Sequence, residues 1–123
     1  MKLALEHSEQ REAVKWFREQ YPEHVMALKA SPMGVHRGRG AKAGRATSNI
    51  KGLGGVTGEA DLSICIPRNG YGSMMIEHKG EGQPHTLSQA QIDNMNYHNS
   101  IGNLAVSTRG IEAIKAAIKA YMG

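Results

Sequence analysis

Three side chains in this chain are spaced to act together: Asp61, Glu77 and Lys79. They fall in Gly58-Glu59-Ala60-Asp61 and Ile76-Glu77-His78-Lys79, at the start of one apolar run and the end of the next. Two carboxylates held face to face repel each other unless one is protonated or a cation lies between them. A neighbouring ammonium relieves part of that repulsion. A divalent, oxygen-preferring ion such as Mg2+ relieves more, and it needs few protein carboxylates when phosphate and water complete its shell. Such an ion lowers the pKa of a bound water and neutralises charge building on a phosphate. Lys79 would then orient the attacking water or stabilise the oxyanion. The competing interpretation is an ordinary Asp–Lys–Glu salt-bridge cluster at a sheet edge, and an isolated Glu-x-Lys is common enough to favour it. An upstream Asp on the same face and an all-basic segment just before it tip the balance toward phosphodiester chemistry.

That face depends on how two strands pair. Asp61–Ile66 and Ser73–Lys79 read as strands joined through Pro67-Arg68-Asn69-Gly70-Tyr71-Gly72. Asn69-Gly70 suggests a two-residue type I′ turn. Carried down the strands, that register pairs Leu62 with Glu77 and Ile64 with Met75, mixing charged and apolar residues on each face. A three-residue loop, Arg68-Asn69-Gly70, shifts the pairing by one. Leu62, Ile64, Ile66, Met74 and Ile76 then share one face, while Asp61, Ser63, Cys65, Ser73, Met75, Glu77 and Lys79 share the other. Strict alternation of side chains makes only this odd register separate the faces. It sets Asp61 opposite Glu77 with Cβ atoms ~5 Å apart, and Lys79 ~7 Å along the same face.

The remaining elements frame that hairpin. Residues 4–21 form an amphipathic helix with Gln10, Ala13, Val14, Phe17 and Tyr21 on one stripe, stopped by Pro22. Glu6, four residues before Gln10, falls on the same stripe: either it sits in the first turn, favoured by the helix dipole, or it aims into a site. Val25–Ala30 reads as a short strand ended by Ser31-Pro32. Ser88 with Gln91 three residues later is a capping-box pattern opening a helix that runs to about Asn99. Residues 103–107 form a strand, and residues 111–122 a final amphipathic helix on Ile111, Ile114, Ala117, Ile118 and Tyr121.

The chain has 123 residues and a net charge of +4, unevenly spread. Residues 1–30 are neutral, residues 59–123 carry −1, and residues 31–58 carry +5 from Arg37, Arg39, Lys42, Arg45 and Lys51 with no acid. A localised basic stretch is the footprint expected for a polyanion, most often nucleic acid. Its alternative is a solvated loop without a ligand. Gly52 to Gly58 is glycine-rich, yet no Gly-Lys-Ser/Thr follows, which argues against a phosphate loop. One cysteine, Cys65, allows no internal disulfide or cysteine cluster. The histidines His7, His24, His36, His85 and His98 form no metal array, which argues against zinc. No apolar run approaches the ~20 residues of a membrane span, and Met1-Lys2-Leu3-Ala4-Leu5-Glu6 lacks a secretory apolar region. We therefore expect a single soluble domain over 1–123 in a reducing cytoplasm.

Gly58-Glu59-Ala60-Asp61, Ile76-Glu77-His78-Lys79 and Leu87-Ser88-Gln89-Ala90-Gln91, with Glu6 and Gln10 in the first helix, resemble the VRR-NUC (virus-type replication-repair nuclease) branch of the PD-(D/E)xK nuclease superfamily. The resemblance implies an α/β (α+β) restriction-endonuclease-like core, a mixed sheet flanked by helices in the order α-β-β-β-α-β-α. It implies that Asp61 and Glu77 bind metal with the His78 backbone carbonyl, that Lys79 is catalytic, and that Gln91 lies near the site. Glu6 corresponds best to the first-helix acid, reaching metal directly or through water, with Glu9 as the alternative. The family usually has Pro before the Asp, where this chain has Ala60. The His78 imidazole must point away from Glu77, as a structural or rim group.

The function so implied is a Mg2+- or Mn2+-dependent DNA endonuclease, similar to small Holliday-junction-resolving homodimers, with the basic segment on DNA phosphates. A nuclease of other specificity (flap, single-strand or restriction-type) is the enzymatic rival. A non-catalytic nucleic-acid-binding module of the same fold is the rival from another class, but binding alone would not require Asp61, Glu77 and Lys79.

Overall fold

The computed structural model describes residues 2–32, 51–84 and 86–123. Helix α1 spans Lys2–Gln20, a 3-10 turn spans Pro22–Ala27, and strands β1 (Leu28–Ala30), β2 (Leu62–Ile64) and β3 (Met74–Lys79) follow. Helix α2 (Gln89–Ser100) then crosses to β4 (Leu104–Arg109), and α3 (Ile111–Met122) closes the order. The four strands line up as β1-β2-β3-β4, antiparallel except for the parallel β3–β4 pair. This is the mixed, helix-flanked sheet in the order that the resemblance implied.

One face of the sheet makes the core. Leu62, Ile64, Met74 and Ile76 are buried there with Ile66, against Ala13 and Phe17 of α1 and Ile114, Ile118 and Tyr121 of α3. The alternation in β2 and β3 forces this, because both strands put their aliphatic residues on even positions. Helix α2 buries no residue of its own. Its N-terminus carries the full capping box: Gln91 N–H donates to Ser88 Oγ, and Ser88 N–H donates to Gln91 Oε1.

Two expectations need correction. Val25 to Ala27 are not strand: Pro22 occupies the first turn of a 3-10 segment that runs to Ala27, so β1 begins only at Leu28. Met26 is 90% exposed, with no sheet face to bury it.

The hairpin gives the expected register by a different route. Leu62 pairs with Ile76, Ser63 with Met75 and Ile64 with Met74, the odd register that separates the faces. The turn itself, however, is the two-residue type: Arg68 and Tyr71 exchange both backbone hydrogen bonds at 3.0 and 2.8 Å, and Asn69 (φ 53°) and Gly70 (φ 86°) both have positive φ. The two are reconciled by a bulge. Cys65-Ile66-Pro67 on one side faces only Gly72-Ser73 on the other, between the Ile64–Met74 pair and the Arg68–Tyr71 bridge. An extra residue on one strand shifts everything beyond it by one, and Pro67, which has no N–H, forgoes no ladder bond there. The tip is anchored from below: Asn69 Nδ2 donates to the Tyr121 carbonyl, and the Tyr121 hydroxyl donates to the Ile66 carbonyl.

Candidate active site

Asp61 stands one position beyond the last β2–β3 pair, so the ladder's register sets it against Glu77. Its carboxylate turns into the plane of the sheet, where Oδ2 accepts the His78 N–H at 2.8 Å. Where β2 ends, the Asp61 side chain thus takes up a backbone donor of β3 that the ladder no longer satisfies. The backbone leading into Asp61 is held on both sides. Ser31 N–H donates to the Asp61 carbonyl at 2.9 Å, and Ser31 Oγ donates to Glu59 Oε2 at 2.7 Å. Gly58 (φ 83°) lies against the first turn of α2 so closely that a Cβ would stand 2.3 Å from the Ala90 carbonyl oxygen. Ala60 is buried in this turn, and these contacts restrain the backbone without a proline.

Glu77 and Lys79 sit on the face opposite the core. The Glu77 side chain is 3% exposed and that of Lys79 16%, with Lys79 Nζ 4.0 Å from Glu77 Oε2. That distance attracts electrostatically but exceeds a hydrogen bond. Beside Glu77 on β4 stands Ser107, its register partner, whose hydroxyl is buried without a hydrogen-bond partner among the described residues.

His78, between the two, faces the core. Its ring is 1% exposed and bridges two elements: Nε2 lies 2.8 Å from Glu9 Oε1 on α1, and Nδ1 lies 2.8 Å from Thr108 Oγ1 on β4. The imidazole is therefore structural and not at the rim. In an extended strand one residue's N–H and C=O leave on the same side. Since the His78 N–H meets Asp61, its carbonyl leaves toward Asp61 too. The Asp61 carboxylate and the His78 carbonyl thus lie on the same side of β3, next to the residue that carries the Glu77 carboxylate.

The other expected site residues are placed as follows. Gln91 spends its Oε1 on the capping box. Glu6 is half-buried and makes no hydrogen bond or ion pair among the described residues, whereas Glu9, the alternative, is buried and bonded. Lys51 is exposed; Arg37, Arg39, Lys42 and Arg45 lie outside the described residues. Thr108 and Ser107 went unnoticed in the sequence. Both follow from continuing the β4 pairing alongside β3, which sets Ser107 against Glu77 and Thr108 against His78.

The mixed four-stranded sheet with its flanking helices is a fold already seen in another protein. A solved chain described as a VRR_NUC domain protein shares it, with a TM-score of 0.78 at 23% identity over 96% of this chain and 88% of that one. No family model and no curated protein matches the sequence. No described helix is long and apolar enough to cross a membrane.

Proposed function

We propose that the protein is a divalent-metal-dependent DNA endonuclease of the VRR-NUC kind, acting on branched DNA such as four-way junctions. The observation that carries this reading is the Asp61 carboxylate seated on the His78 N–H, between Glu77 and Lys79 in sequence. It ties one acid to the backbone of the residue that stands between the second acid and the lysine.

The donors fit Mg2+ or Mn2+. Among the described residues no three His, Cys, Asp or Glu side chains converge, and Mg2+ suits such sparse sets because it keeps waters and takes further oxygens from substrate phosphates. The Ser107 hydroxyl, buried beside Glu77 without a hydrogen-bond partner among the described residues, is a further oxygen at that face. Asp61, Glu77 and the His78 carbonyl would hold the ion. When bound, the ion supplies charge neutralisation at the scissile phosphate and a more acidic water. Lys79, near enough to Glu77 to be attracted yet not hydrogen-bonded to it, would hold the nucleophilic water or meet the charge developing on a phosphate oxygen. Burial of Glu77 strengthens its attraction for a cation.

Arg37, Arg39, Lys42, Arg45 and Lys51 would contact phosphates, which position DNA with little sequence information. Recognition by branch shape follows, and a homodimer would supply two related sites for paired incision of a junction. A cleavage panel of four-way junction, flap, single-stranded and linear duplex DNA, with Mg2+ and with chelator, tests this. We expect metal-dependent cutting with preference for the junction. Metal-independent cutting, or none, would remove the reading, and preference for linear duplex would replace the junction with a restriction-type substrate.

A further inference from the structure

We infer that the buried line Glu9–His78–Thr108 is a positioning device for the site, and that Glu9 acts through His78 instead of binding metal itself. The inference rests on the nuclease reading for its consequence in turnover, but on contacts alone for its geometry.

A strand that puts Glu77 and Lys79 on one face must put the residue between them on the other. Here that residue carries both backbone groups the site uses: its N–H seats the Asp61 carboxylate, and its carbonyl leaves on the same side. Whatever fixes the His78 side chain therefore fixes the peptides that organise the opposite face. An aliphatic residue would fix it by packing only, as Ile76 does two positions earlier. His78 adds two hydrogen bonds of 2.8 Å in a direction-specific line, one to α1 and one to β4. Glu9 also accepts the Glu81 N–H at 3.3 Å through its other oxygen, so a single carboxylate spans the end of β3. Both of its oxygens are thus engaged on the core side, away from the acids it would have to join as a ligand.

The proton inventory closes. A Glu9 carboxylate only accepts, so Nε2 carries the hydrogen, and in the neutral ring Nδ1 then accepts from the Thr108 hydroxyl. If Glu9 is replaced by Gln, the amide oxygen can still accept from Nε2. Alternatively the amide nitrogen donates to Nε2, and the ring takes its other tautomer and donates from Nδ1 to Thr108. The hydroxyl can serve either way. The positioning role therefore survives loss of the charge, whereas a metal-ligand role does not.

The test compares Glu9→Gln, Glu9→Leu, Thr108→Val and Glu77→Gln for junction cleavage, with kcat and KM separated, and for amide exchange at His78 by NMR, normalised to Ile114 in α3. Groups that orient metal ligands typically matter by about 10–100-fold. We expect Glu9→Leu to lose kcat in that range with KM for DNA unchanged, and Glu9→Gln to be rescued to within about fivefold of wild type. His78 exchange should speed up about tenfold in Glu9→Leu and about threefold in Thr108→Val, relative to Ile114. Glu9→Gln as inactive as Glu77→Gln would make Glu9 a ligand and overturn the inference. So would a folded Glu9→Leu with unchanged kcat and unchanged His78 exchange. If Glu9→Leu does not fold, Thr108→Val decides, and unchanged His78 exchange there overturns it. If the wild type cuts no DNA, the nuclease reading falls separately and the exchange comparison alone decides the positioning claim.

Discussion

The two faces of β3 obey opposite rules. On the core face, His78 finds a hydrogen-bond partner for each ring nitrogen, among aliphatic neighbours that exclude water. On the opposite face, Lys79 stops at 4.0 Å from Glu77, the Asp61 carboxylate leans on a backbone N–H, and the Ser107 hydroxyl has no partner among the described residues. One strand thus carries a closed hydrogen-bonded line on one face and an acid and a lysine 4.0 Å apart on the other, a single residue apart. A finished polar network rigidifies what surrounds it. The contrast lies in the partners and not in burial, since Glu77 and His78 are about equally buried.

Breaking the Glu77 and Lys79 face should cost most. Glu77→Ala or Lys79→Ala is expected to lower junction cleavage by at least about 10²–10³-fold, with junction binding retained in a gel-shift assay. Undiminished cutting would return the cluster to an ordinary ion-pair group. Gly58→Ala attacks the same face through the backbone. A side chain there requires a strained positive φ and meets the Ala90 carbonyl, so denaturant unfolding should show a loss of about 1–3 kcal/mol, and cleavage should fall with it as Asp61 shifts. A variant of wild-type stability would show that the turn does not constrain Asp61.

Two smaller effects sharpen the comparison. Arg37/Arg39→Ala should flatten the salt dependence of DNA binding by roughly two units of log–log slope, leaving kcat at saturating DNA alone; an unchanged slope removes those residues from the interface. Tyr121→Phe, which deletes the hydrogen bond beneath the hairpin, should cost about 1 kcal/mol. Burial raises the Tyr121 hydroxyl above its ordinary pKa, with Arg68 opposing. The neutral phenol's contribution is therefore full below the unfolded value of about 10 and lost as pH rises through the higher folded value. Tyr121→Phe should lack that alkaline loss in a pH series of unfolding midpoints.

Much of this arrangement was legible in the sequence because it rests on alternation. Leu62, Ile64, Met74 and Ile76 fix which face is buried, and hence the register that brings Asp61 to Glu77; Ser88 and Gln91 fix where α2 begins. The mechanism of the register was not legible. A bulge at Cys65-Ile66-Pro67 and a three-residue loop shift the strands equally, and only backbone angles distinguish them. Val25 and Met26 carry strand propensity, but Pro22 had already committed the chain to a 3-10 turn. Which first-helix acid meets the core turned on a single step of phase. Glu9 lies four residues before Ala13, the most buried helix position near it, so the core stripe runs through Glu9 more directly than through Glu6. The partners His78 and Thr108 are far from it in sequence, and a contact between distant residues leaves no local periodicity to read.

The central claim is that Asp61, Glu77 and Lys79 form a metal-dependent phosphodiesterase site. Its most direct test is cleavage of a labelled four-way junction by wild type and Glu77→Ala at matched DNA occupancy, in Mg2+ and in chelator. Wild type should cut in Mg2+ alone, and Glu77→Ala in neither. Equal cutting by both proteins, or cutting by wild type that survives the chelator, would contradict it.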